Sequence, residues 1–149
     1  MKKSWVRNMG LFTAFLIIAA LGLMAFVRLS PTDVQAWHVA VPDQTGAWDS
    51  VVPLTGGATL RLSAAKGAPR DLLARLDAIA MATPRTTLLA GSVDTGRITW
   101  ETRSALWGFP DYTTAEVRDD GLYVRARLRF GQSDLGVNAQ RLTDWLAQL

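Results

Sequence analysis

Seven side chains in the C-terminal half are of the kinds that hold anions or move protons: Arg103, Arg127, Arg129, Asp111, Asp134, Asn138 and Arg141. Arg125, Arg127 and Arg129 recur at every second residue of an alternating stretch, so a strand there carries all three on the face opposite Leu122, Val124, Ala126 and Leu128. Arg103 has the opposite parity to Trp100 in its own alternating stretch and is expected on the same side. Guanidinium groups held side by side repel unless acids or an anion lie between them. In one reading Asp111 and Asp134 neutralise the arginines and pin the strand ends, with each exposed ion pair worth only ~0–1 kcal/mol. In the other the cluster is an anion site, completed by backbone N–H groups around residues 131–136 and by a helix N-terminus near Asn138. A catalytic variant makes the protein a hydrolase, with Asp134 or Asp111 as base and the arginines as oxyanion or phosphate clamps.

Other chemistry is narrowed by what the chain lacks. It has no cysteine and one histidine, so thiolate metal sites, a Cys nucleophile, disulfides and a multi-His metal site within one chain are excluded, and no cofactor or metal is expected. His38 has no partner of its kind and reads as a partly exposed polar residue. Gly131-Gln132-Ser133-Asp134-Leu135-Gly136 is neither a nucleophile elbow, because Leu135 breaks Gly-x-Ser-x-Gly, nor a phosphate loop, because Val137-Asn138 follow. It reads as an Asp/Ser turn, with Gly136 in a backbone conformation that other residues dislike. Asp119-Asp120 belongs to a hairpin turn.

These groups need a scaffold. Residues 58–63 alternate and predict a strand. Gly67-Ala68-Pro69 opens a helix with Pro69 in its first turn, Leu72, Leu73, Leu76, Ile79 and Ala80 share one face, and Pro84 ends it. Strands are predicted at residues 86–90 and 97–106, and a hairpin joins 113–118 to 122–130 through Asp119-Asp120-Gly121. Residues 37–41 are expected as a short edge strand. Asn138 is expected to cap a last helix, with Val137 stapled to Leu142 and a buried stripe of Leu142, Trp145, Leu146 and Leu149. Trp100 and Trp145 belong in the core. The fold class is therefore α+β, an antiparallel sheet of about five strands with two helices packed on one face.

Residues 9–27 carry no charge, and 19 residues match the roughly 20 that a helix needs to cross ~30 Å of hydrocarbon. Lys2, Lys3 and Arg7 precede this run and account for the whole net charge of +3, so the body is neutral and no nucleic-acid partner is expected. The positive-inside rule keeps the N-terminus in the cytoplasm and sends the rest across. A cleaved signal peptide is the competing reading. Its apolar region is shorter, about 7–15 residues, and the small-x-small pattern at Val34-Gln35-Ala36 lies awkwardly far downstream.

Arg103-Ser104-Ala105-Leu106-Trp107-Gly108-Phe109-Pro110-Asp111, and the run from Arg127 through Gly131-Gln132-Ser133-Asp134-Leu135-Gly136-Val137-Asn138 to Arg141, resemble a family known as domain of unknown function 1499. The resemblance covers roughly residues 58–149. It departs at the front, where many relatives carry an Asn-Cys-Val-Ser type segment and this chain has no cysteine. It implies a bacterial, often membrane-associated module and brings no activity with it.

The expected organisation is a cytoplasmic stub and transmembrane anchor over residues 1–28, a tether partly packed on the domain over 29–57, and a small α+β domain over 58–149. The expected protein sits in the inner (cytoplasmic) membrane with its domain in the periplasm or outside. It acts as a non-enzymatic binding or interaction module with an arginine-rich face for an anionic ligand or an envelope protein partner. The hydrolase, or a structural accessory subunit of a membrane complex, is the alternative.

Overall fold

The structure, a computed structural model, describes residues 2–149. It begins with α1 (Lys2–Leu29), of which Arg7–Leu29 is long and apolar enough to cross a membrane. A single short turn of helix follows, α2 (Val34–Trp37), capped by the Asp33 carboxylate. Residues 37–41, expected as an edge strand, are instead the end of α2 and irregular chain, because the Asp33 cap turns the backbone just ahead of them.

The sheet has six antiparallel strands in the order β1-β2-β6-β5-β4-β3: β1 (Val51–Leu54), β2 (Gly57–Ser63), β3 (Thr86–Ser92), β4 (Arg97–Arg103), β5 (Pro110–Arg118) and β6 (Gly121–Leu128). The expected count was about five. The additional strand is β1, which hairpins onto β2 through Thr55 and Gly56, the glycine at φ 71°. Pro53 reads in sequence as a breaker but is tolerated here because β1 lies on the sheet edge. The expected β5–β6 hairpin forms, with Arg118 opposite Gly121.

Two helices, α3 (Pro69–Ala82) and α4 (Val137–Leu146), cover one face of the sheet. Leu72, Leu73, Leu76 and Ala80 of α3 and Leu142 and Trp145 of α4 meet Leu60, Leu62, Ile98, Trp100, Leu122 and Val124. Trp100 and Trp145 cross edge to face at 5.8 Å, and their indole N–H groups donate to Asp77 and Thr83. The two largest side chains of the core are thus buried with no orphaned donor.

The opposite face is crossed by residues 31–49. Trp37 stacks on Tyr112 at 4.2 Å, the His38 Nδ1 lies 2.9 Å from Thr99 Oγ1, the Val41 N–H donates to Glu116, and Trp48 meets Tyr123 edge on. The end of α1 is also held: Val27 is 1% exposed, Phe26 packs on Phe130, and Arg28 donates to the carbonyl of Leu106.

Candidate functional site

Alternation along the strands decides where each candidate group lands. Counting back from the Arg118–Gly121 turn pairs Asp111 with Leu128, which places Asp111 on the helix side of the sheet. Arg127, two strands' width from β1, faces the other way, as do Arg103 and Arg129. The seven candidates therefore form two groups on opposite faces.

On the helix side, Asp134 organises the loop into α4. Its carboxylate accepts from the Gly136 N–H, the Asn138 N–H and the Asn138 side-chain amide, the last at 2.7 Å. The N-cap position is Gly136, left-handed at φ 82°, so the expected special conformation is present. The cap residue is not Asn138. That residue lies fully buried in the first turn, and its side-chain oxygen accepts from Arg141 at 2.6 Å. With Gly136 as cap, the staple position falls to Leu135, which is 93% exposed, so the expected Val137–Leu142 staple is replaced by the Asp134 bonds. Arg141 also donates to Asp111 at 3.2 Å, closing a chain from Asp134 through Asn138 and Arg141 to Asp111. Burial raises the Asp111 carboxyl above its ordinary value, against the pull of Arg141. Burial alone would raise Asp134 too, but its hydrogen bonds from Asn138, Gly136 and its own backbone outweigh that and leave it lowered.

On the opposite side the arginines are engaged by neutral groups and one glutamate. Arg103 pairs with Glu101 at 2.5 Å and donates to the Gly108 carbonyl. Arg127 donates to the Trp37 carbonyl and lies over its ring at 4.9 Å. Burial, and then the neighbouring Arg125, lower its pKa. Arg129 donates to the Pro31 carbonyl, to Thr32 and to the Tyr112 hydroxyl. Among the described residues neither Asp111 nor Asp134 forms a salt bridge with a strand arginine.

Two adjoining clefts open at the end of the sheet where β3 begins and β4 ends. One, of about 670 Å³, lies between the end of α3 and α4 and is lined by Thr83, Arg85, Arg103, Ser104, Arg141 and Asp144 among others. The second, of about 580 Å³, shares Arg85, Arg103 and Ser104 and adds Arg28, Glu101 and Gly108. Arg85 was not singled out in the sequence. It sits just after Pro84 at φ 61°, a conformation that a long side chain rarely adopts, and is exposed. Its Nε donates to the Arg103 carbonyl. The only available signal was Pro-Arg immediately before a strand, which marks a turn but not a ligand. His38 lies away from both clefts, beside Arg97 and Glu116, and burial followed by Arg97 lowers its pKa while Glu116 opposes them. Among the described residues no three His, Cys, Asp or Glu side chains are grouped to hold a metal.

A family described as "Protein of unknown function (DUF1499)" matches residues 49–149. No curated protein and no solved structure matches the chain.

Proposed function

The chain belongs to the DUF1499 family, and from that premise we propose that it is a non-enzymatic, membrane-anchored binding module of the cell envelope. Residues 9–27 form the anchor, the N-terminus stays in the cytoplasm, and the domain lies outside or in the periplasm of the inner membrane. The ligand is a small anion, held in the paired clefts by Arg85, Arg103 and Arg28. The observation that carries this reading is that Arg85 and Arg103 line both clefts, while the second cleft holds a single acid, Glu101. Bidentate guanidinium groups are suited to phosphate and carboxylate alike.

The hydrolase alternative finds less support. The Asp134 carboxylate is committed to the helix start and Asp111 to Arg141, so neither is a free base. The Ser104 hydroxyl accepts from the Phe109 N–H, and no histidine lines either cleft.

The test is thermal unfolding of the full chain in lipid nanodiscs, titrated with inorganic phosphate and, separately, with succinate. A saturable rise in Tm that disappears in Arg85→Ala supports the site. No shift with either anion in a folded wild type overturns it.

A further inference from the structure

We propose that the end of the domain from which α1 emerges lies directly on the membrane surface, with Leu106 and Leu135 seated in the lipid headgroup and upper acyl layer. The inference goes beyond the anion site and rests on the reading of α1 as an anchor.

The argument begins with length. The uncharged run of 19 residues spans about 29 Å as a helix, against ~30 Å of hydrocarbon, so no spare turn lifts the domain clear. Yet the last residues of that run already touch the domain. Phe26 packs on Phe130, and Val27 is covered to 1% exposure. The next residue, Arg28, is bonded to the loop between β4 and β5 at Leu106. Whatever depth the end of the span occupies, this loop and Phe130 share it.

The surface at that depth has the matching chemistry. Leu106 is 67% exposed and Leu135 93% exposed, each in a loop at the end of the sheet where β4 and β6 finish, the end at which Arg28 is bonded. Scattered surface leucines need no explanation, but exposed leucines in two loops at the end of the sheet from which an apolar helix leaves do. Leu135 lies at φ 53°, in the left-handed region that costs a non-glycine residue energy; its own N–H donates to the Ser133 hydroxyl and the following Gly136 N–H to the Asp134 carboxylate. The chain thus bears backbone strain to present an apolar side chain to its surroundings. Arg28 and Arg85 flank the same end, at the level where lipid phosphates lie. The opposite end of the sheet carries the Asp119-Asp120 turn, which is acidic and unsuited to a headgroup layer.

Because the chain has no cysteine, single reporters can be introduced cleanly. Ile18→Cys, Leu106→Cys, Leu135→Cys and Asp120→Cys are each labelled with an environment-sensitive fluorophore in the full chain. Each is reconstituted in vesicles containing lipids spin-labelled either at the headgroup or deep in the acyl chain. Ile18→Cys is expected to lose most of its emission to the deep label. Leu106→Cys and Leu135→Cys are expected to lose theirs to the headgroup label, and Asp120→Cys to neither. If Ile18→Cys is quenched while positions 106 and 135 behave like 120, the docking is wrong and the anchor stands. If Ile18→Cys is itself unquenched, the anchor reading fails and takes the docking with it.

Discussion

Asp134 and Asp111 stand at the two ends of one hydrogen-bonded chain, and their carboxyls are driven in opposite directions. Asp134, lowered by its hydrogen bonds against the cost of burial, contributes stability that is fully present above the ordinary carboxylate value of 3.8 and is lost as pH falls through its lower folded value. Asp111, raised mainly by burial, has the reverse sign. Its contribution is present at low pH and is lost as pH rises through its folded value. Asp134→Ala is therefore expected to cost on the order of 1 kcal/mol at neutral pH, the scale of a lost helix cap, and the gap in Tm between wild type and variant should shrink below pH 4. A gap that is the same at pH 3 and pH 7 would show that the carboxylate is not what holds the loop. Arg141→Ala leaves the partly buried Asp111 without its cation and the Asn138 side-chain oxygen without its donor, and should cost about 1–3 kcal/mol, the range for leaving such groups unsatisfied. Urea unfolding measures it directly.

At the scale of elements, the helix face of the sheet was legible because burial there obeys simple periods. Leu72, Leu73, Leu76 and Ala80 at helical spacing, and Leu122, Val124 and Ala126 at strand spacing, are all core residues. Trp100→Ala, which empties the centre of that core, should destabilise by about 3–5 kcal/mol, as read from denaturant unfolding. The other face was not legible. Its cover is an irregular chain, residues 31–49, whose contacts are aromatic stacks and single hydrogen bonds with no period to detect. The same cover supplies the carbonyls that engage Arg127 and Arg129, so alternation alone left those arginines looking free. Grouping Asp111 with them failed for a simpler reason. The register set by the Asp119-Asp120 turn already assigns it, with Leu128, to the helix side. Trp37→Ala removes both the Tyr112 stack and the platform under Arg127 and is expected to cost about 2 kcal/mol. A change within a few tenths would mean that residues 31–49 merely rest on the sheet.

For the whole molecule, the contacts between Phe26, Val27, Arg28 and the domain tie the orientation of α1 to that of the sheet. A second long-range tie governs how the chain reaches this state. β1 and β2 form a local hairpin, and β3 to β6 a simple meander, but the two halves join only where β2 pairs with β6, some sixty residues later in sequence. The chain emerges from its N-terminus, so Leu60 and Leu62 wait with one strand edge open until residues 121–128 arrive, and α4 comes later still. Loop closure across that distance must precede any reward from the pairing. The first hairpin is then a sticky, half-made edge while the next sixty or so residues are made. A chain ending at residue 120 should remain in that condition, showing no cooperative unfolding transition, and a cell would meet it as a substrate for proteases rather than as a shorter version of the same fold.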